Sequence, residues 1–472
     1  MKALEETIPP PLRGSSGTCR VLLVLGAIAY VACFNWMYVR YLYPEFGYFG
    51  FDYVHPATTY AAVAWALAIL PSLWMPIGLK RPSQLIYWVL YVTVIIPSMF
   101  TPLYADLNPP AEVIWLVVTL FVGFAIAGLS YAIPVRRFRR RNISPQVFWS
   151  GVTAVAVLLV AWLLTVYGKH LHIVSFADVY DLRNAADDVA DGTQVNYAFM
   201  LMTGAVGPFL MGYGLFYKKW WCFAFGACGQ LLIYSIGGTK GSILSILFVP
   251  GMYFLLTFTR LPFGMKFLFG ALVTIGLPCL SYITVGGKPS VLHTVVLFVI
   301  LVRTLSINGL VTAQYYDFFT QNPLTYYSHL HFVNWFIKYP YKYPIGMEIG
   351  LRYAGTTSLD ATGHFWAMDG LAALGLPGIL VISVCCGCIF WLLDSVTSRH
   401  TPKLVAVIIT YAAYNFANIG LFTTLLSGGL FLLMLALYSL PVSSTSVPAN
   451  VRGFPRHKHW PGSQHRVVPD SI

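Results

Sequence analysis

Charge is what this chain has least of. Only 10% of its 472 residues are Asp, Glu, Lys or Arg, and 57% are hydrophobic. A soluble domain carries about 25% charged residues, so a soluble protein is excluded. The ten-residue alternation of an outer-membrane barrel is also missing. Instead, apolar runs of at least ~18 residues recur, long enough for helices to cross a bilayer. A backbone in lipid must pair its own polar groups, and helices do so within each segment. No internal repeat is evident.

Acidic residues are scarcer than basic ones, 17 against 29, for a net charge of +12. The apolar runs predict spans at about 20–43, 57–79, 84–104, 112–134, 146–168, 196–217, 221–238, 243–259, 266–285, 370–393, 403–423 and 428–442. With the N-terminus inside, most Lys and Arg fall on the cytoplasmic side. They form clusters at Lys80–Arg81, Arg136 to Arg141, Lys218–Lys219 and the tail from Arg452 to Arg466. Only Glu5, Glu6, Asp394 and Asp470 share that side. Such asymmetry orients a membrane chain, so the basic excess reports topology and no nucleic-acid site. The expected class is an all-α polytopic membrane protein of about 12 transmembrane helices with both termini cytoplasmic. Residues 1–19 and 443–472 read as disordered cytoplasmic ends flanking an integral domain at 20–442, its first span a retained anchor.

The eight cysteines, Cys19, Cys33, Cys222, Cys228, Cys279, Cys385, Cys386 and Cys388, lie in or beside spans. None stands in an exterior loop or at metal-ligand spacing, so they read as small core residues. No metal site and no cofactor is expected, and no Asp-x-Asp nucleotide-sugar motif lies outside the membrane.

Polar chemistry concentrates in two exterior loops. In the smaller, 169–195, Val179, Leu182, Ala186 and Val189 recur at helical spacing and predict a short surface helix. Arg183 projects with the apolar face, while Asp181 and Asp188 point away. Asp187, Asp188 and Asp191 match the spacing of a magnesium-diphosphate motif, but a solvated acidic face accounts for them. The larger loop, 286–369, holds Arg303, Arg352, Glu348, His364 and Asp369 with many tyrosines. Val291 to Val302 is too short to span, so a re-entrant or interfacial helix is expected, with Arg303 at or just below the membrane surface. A cation there needs a partner, either a structural carboxylate or an anionic ligand. Lys240, in the turn Ile236 to Ser242, is a third cation near that interface, for which snorkelling is the simpler account. The aromatic loop from Pro44 to Pro56 reads as an interfacial belt, with sugar contact the alternative.

Several pieces resemble the oligosaccharide repeat-unit polymerases, the Wzy-type O-antigen and capsule polymerases. These are Pro44 to Phe51 (PEFGYFGF), Lys80 to Ser83, Tyr91 to Pro97, Tyr180 to Arg183 (YDLR), Ile233 to Lys240 (IYSIGGTK), Arg303, Tyr315 to Phe319 (YYDFF), and Ala361 to Gly370 (ATGHFWAMDG) with Gly375 to Gly378. They run through most of the chain, and their order and spacing carry the likeness. Ala361 stands where that pattern often has asparagine, which leaves the role of His364 open.

The resemblance implies a metal-independent, GT-C-like glycosyltransferase of the bacterial inner membrane. Its substrate would be oligosaccharide linked to undecaprenyl diphosphate, and its partners a flippase and a chain-length regulator. Arg183 and Arg303 would stabilise the departing diphosphate by charge-assisted hydrogen bonds. Lys240, Tyr180, Tyr316, Arg352 and Glu348 would contact diphosphate or glycan. His364, Asp369 and Glu348 are candidates for the general base. An O-antigen ligase, or a transporter of lipid-linked or amphipathic substrates, is the alternative.

Overall fold

The structure, a computed structural model, describes residues 16–139, 143–168, 194–258, 261–286, 290–357 and 359–441. Every regular element among these residues is a helix. The chain runs through α1 (Gly17–Phe49), α2 (Thr58–Leu73), α3 (Ser83–Tyr104), α4 (Pro110–Ala132) and α5 (Pro145–Tyr167). Then come α6 (Val195–Phe216), α7 (Trp220–Gly237), α8 (Lys240–Phe258), α9 (Phe263–Thr284) and α10 (His293–Gln321). A long connection carries α11 (Ile345–Ala354) and α12 (Trp366–Leu371, prolonged by Ala372–Leu374). The chain ends with α13 (Leu376–Val396), α14 (Pro402–Ile408), α15 (Thr410–Asn418) and α16 (Leu421–Ser439). Eleven of these are long and apolar enough to cross a membrane: all but α2, α11, α12, α14 and α15.

Local sequence explains the ends. Proline opens α4, α5, α13 and α14, where its missing N–H costs nothing. Helix α3 is central and almost wholly buried, whereas α5 lies at the edge of the bundle and is mostly exposed.

Contacts sort the connections onto two faces. On one, which carries the basic clusters, Arg81 donates to the carbonyls of Ser130 and Ile133. There Asp394 accepts from Ser83 N and Oγ at 3.0 and 2.7 Å, capping α3 from α13. On the opposite face, the loop face, Val54 N bonds Tyr104 O and Tyr282 Oη donates to Glu45.

Helix α10 begins and ends on the loop face. Its His293 Nε2 meets Ser281 near the end of α9, and its Asp317 accepts from Asn108 after α3. Between them Asn308 Nδ2 donates to Thr93 O, midway along α3. The segment is long enough to span yet enters and leaves by one face, bending through the π-helical turns of Phe298–Ser306. Helix α12 is a second re-entrant piece. Trp366 donates to Ser383, about 10 Å down α13 at 1.5 Å per residue, whereas Ala372 O accepts from Thr325 N at the surface. Gly375, at φ +65°, then reverses the chain into α13.

Three expectations need correction. The 286–369 stretch is not a loop throughout, because its first third is α10. The 57–79 span is shorter, at Thr58–Leu73. The 403–423 span is broken at Ile409 into α14 and α15. In the aromatic segment that closes and follows α1, Phe51 is fully buried and the Phe46 and Phe49 rings lie 5.5 and 6.3 Å from Phe298 of α10, while Tyr43 and Tyr48 stay exposed.

Candidate functional site

A polar cavity of about 580 Å³ opens at the loop-face ends of α5, α6, α7, α8, α15 and α16. Small-ligand sites occupy roughly 300–1,000 Å³, so this one has the size of a binding site. Tyr411, Tyr414, Asn415 and Asn418 of α15 line one wall, at helical spacing on one face. Asn196 and Thr203 of α6 line another, and Gly237, Thr239 and Gly241 form the α7–α8 edge. Asp360 and Thr362 come from the segment that descends toward α12. Tyr167 and Asn196, which bracket the 169–195 loop, both line the cavity.

Arg303 sits on the π-helical part of α10. Its guanidinium carbon lies 5.9 and 5.8 Å from the ring centroids of Phe49 and Phe298. Both distances are close to the ~6 Å limit of a cation–π contact, worth about 1 kcal/mol at best. The rings therefore aim the cation more than they offset its desolvation. Arg303 lies near enough to Tyr414 of the cavity wall to interact with it electrostatically, without itself lining the cavity. Phe49 at the end of α1 and Phe298 of α10 thus form the bed of Arg303.

Lys240 is the first residue of α8, between Thr239 and Gly241 at the cavity edge. Gly238, at φ +58°, closes α7 and turns the chain there. Arg183 and Tyr180 lie outside the described residues.

The other expected site residues are engaged elsewhere. His364 is fully buried. Thr312 donates its hydroxyl to Asn308 O, so its Oγ1 accepts from His364 Nε2 at 2.8 Å. His364 Nδ1 accepts from Ala367 N at 3.4 Å. Through these two bonds His364 ties α12 to α10. Asp369, 1% exposed, bonds Leu421 N through Oδ2 and His329 Nε2 through Oδ1 at 3.0 Å. It joins α12, α16 and the 322–330 turn. Glu348 Oε1 accepts from Tyr343 N at 2.8 Å, holding the entry to α11. Tyr316, buried, donates to Glu112 O at 3.4 Å and links α10 to α4. Arg352 is exposed at the end of α11, beside Tyr353.

Around α11 the tyrosines hold their protons. Burial, then Glu348, pushes the Tyr341 hydroxyl up to about 12. Burial, then its bond to Asp317, raises Tyr353 as well.

Asp360 is what sequence reasoning missed, together with the polar face of α15. The signal was present: Tyr411, Tyr414, Asn415 and Asn418 recur at three- and four-residue steps inside a segment taken as an ordinary span. Asp360 carried none, being one acid among several in a long loop.

A second groove, apolar and about 300 Å³, lies on the α5–α6–α16 seam, lined by Val152, Phe209 and Leu432 among others. Among the described residues, no group of three or more His, Cys, Asp or Glu is arranged to hold a metal. The cavity can hydrogen-bond a hydroxyl-rich solute and stack on its rings. Compared with models of known families, with curated proteins and with solved structures, the chain matches none.

Proposed function

We propose that the protein is a membrane glycosyltransferase that polymerises oligosaccharide repeat units carried on undecaprenyl diphosphate. Transfer breaks the bond between the anomeric carbon and the diphosphate oxygen and joins that carbon to an acceptor hydroxyl. Negative charge grows on the departing diphosphate, and a fixed arginine stabilises it without reorganisation.

One observation carries this reading: a polar cavity of about 580 Å³ lined by tyrosines, asparagines and threonines, with Tyr167 and Asn196, the residues that bracket the 169–195 loop, among its lining. Amides, hydroxyls and tyrosine rings together suit a glycan. The apolar groove on the neighbouring seam suits an isoprenoid chain entering from the bilayer. The basic clusters of the opposite face favour a cytoplasmic position for it, which would set the cavity on the periplasmic side of a bacterial inner membrane.

The test is elongation of a defined undecaprenyl-diphosphate-linked repeat unit by the purified full-length protein in liposomes. Polymer is expected from the wild type and none from Arg303→Ala at equal protein level. Movement of the lipid-linked sugar across the bilayer without elongation would overturn the reading in favour of transport. In cells, deletion should leave surface glycan with a single repeat. Full-length chains accumulating on undecaprenyl diphosphate in the deletion would make the protein a ligase instead.

A further inference from the structure

We propose that Tyr411 and Asn415 are the residues that read an uncharged, hydroxyl-bearing sugar of the repeat unit; this rests on the glycosyl-transfer reading above. Both stand on one face of α15, one helical turn apart, and both line the polar cavity. Each is more than nine-tenths buried, Tyr411 at 6% exposure and Asn415 at 7%. Among the described residues, neither the Tyr411 hydroxyl nor the Asn415 side-chain amide has a hydrogen-bond partner in the protein. Thr410 and Asn418, at the two ends of α15, are by contrast spent on the backbone. Thr410 Oγ1 donates to Ala406 O at 2.9 Å, and Asn418 Nδ2 to Tyr414 O at 2.7 Å. A buried polar group without a partner is costly, and folded proteins keep few of them. Two on one helical face, both on the wall of a cavity of about 580 Å³, mark where a ligand's own polar groups belong.

The chemistry of the pair names the ligand. The asparagine amide offers an acceptor oxygen and two N–H donors, and the phenol both donates and accepts. A sugar hydroxyl also donates and accepts, so the two residues can bond hydroxyls of a single ring. Among the described residues that line the cavity there is no Lys, Arg or His, and the one charged side chain, Asp360, accepts from Thr362. The α15 wall therefore selects the uncharged part of the substrate.

The pair is held in place before any ligand arrives. The Tyr411 ring lies 5.7 Å from that of Tyr414 at 28°, and Tyr414 in turn lies 5.8 Å from Phe248 of α8. Gly241, near the start of α8, leaves the hydroxyl its space: a Cβ there would lie 2.7 Å from Tyr411 Oη. Ring packing thus fixes the tyrosine without using its hydroxyl, and a group fixed in advance loses little freedom on binding.

The experiment measures equilibrium binding of two lipids to the purified full-length protein: undecaprenyl diphosphate carrying the repeat unit, and undecaprenyl diphosphate alone. It compares wild type, Tyr411→Phe and Asn415→Leu, with thermal unfolding of each. Tyr411→Phe removes one oxygen; Asn415→Leu keeps the branched shape and removes both polar atoms. Because neither group bonds the protein, both variants should unfold at the wild-type temperature or above it. Binding of the glycan-bearing lipid should weaken about tenfold or more in each, with binding of the bare lipid unchanged. Unchanged binding of the glycan-bearing lipid in a variant would overturn the assignment of that residue. Equal losses for the two lipids would make the pair structural and overturn the proposal, as would a wild type that binds both lipids equally. A wild type that prefers the glycan-bearing lipid yet elongates nothing would leave the sugar site standing and overturn the polymerase reading instead.

Discussion

Substituting Gly350 by alanine should damage activity far more than stability. Gly350 lies within α11, and a Cβ there would stand 1.8 Å from the carbonyl oxygen of Leu359. Carbon and oxygen in contact need about 3.3–3.6 Å, so one chain must retreat by roughly 1.5 Å. Two energies oppose each other. Alanine in a helix gains about 0.8–1.0 kcal/mol over glycine, whereas overpacking costs about 1–3 kcal/mol. The net loss is therefore at most about 2 kcal/mol, which a protein of this size survives. The retreating atom, however, belongs to the residue before Asp360, and the main chain after Asp360 is pinned to Gly346. Asp360 and Thr362 line the cavity, and a displacement near 1 Å in a segment that positions a substrate would cost about 100-fold in rate. Elongation kinetics in liposomes, beside thermal unfolding in detergent, would read both effects. Gly276→Ala, where nothing lies within 4 Å of the added carbon, is the control. Wild-type kcat in Gly350→Ala would refute the claim that the 359–362 segment is held in register on α11 and that its position matters.

Asp394→Ala, far from the cavity on the basic face, removes two bonds from a buried carboxylate to Ser83 and should cost about 3 kcal/mol by thermal unfolding. Its kcat per folded molecule should stay at the wild-type value; a fall would tie α3 capping to the site. His364→Gln keeps a donor for Thr312 and should retain elongation within about tenfold, while His364→Ala should lose about 3 kcal/mol of stability. Complete loss of activity in a stable His364→Gln protein would return the base role to the histidine. Elongation should proceed equally with and without EDTA, since its charge stabilisation is assigned to Arg303 and Arg183; inhibition reversed by magnesium would refute that.

The helical membrane class was legible because partition into lipid is nearly additive along a segment. Each apolar run declares itself without reference to its neighbours. Arg303 was legible for the same reason, being a cation on an otherwise apolar stretch. The sequence by itself therefore determined which segments are lipid-compatible and where a charge would be conspicuous.

Only the tertiary structure decided what each polar group does. Hydropathy gave α10 no direction of return; Ser281, Thr93 and Asn108 did, through bonds from distant parts of the chain. Nothing in the sequence shows that His364 and Asp369 are hydrogen-bonded to partners 40 or more positions away. Asp360 looks like any loop carboxylate until α6, α15 and α16 close around it. A cavity is a property of several segments at once, and packing, which couples them, is not additive along the chain.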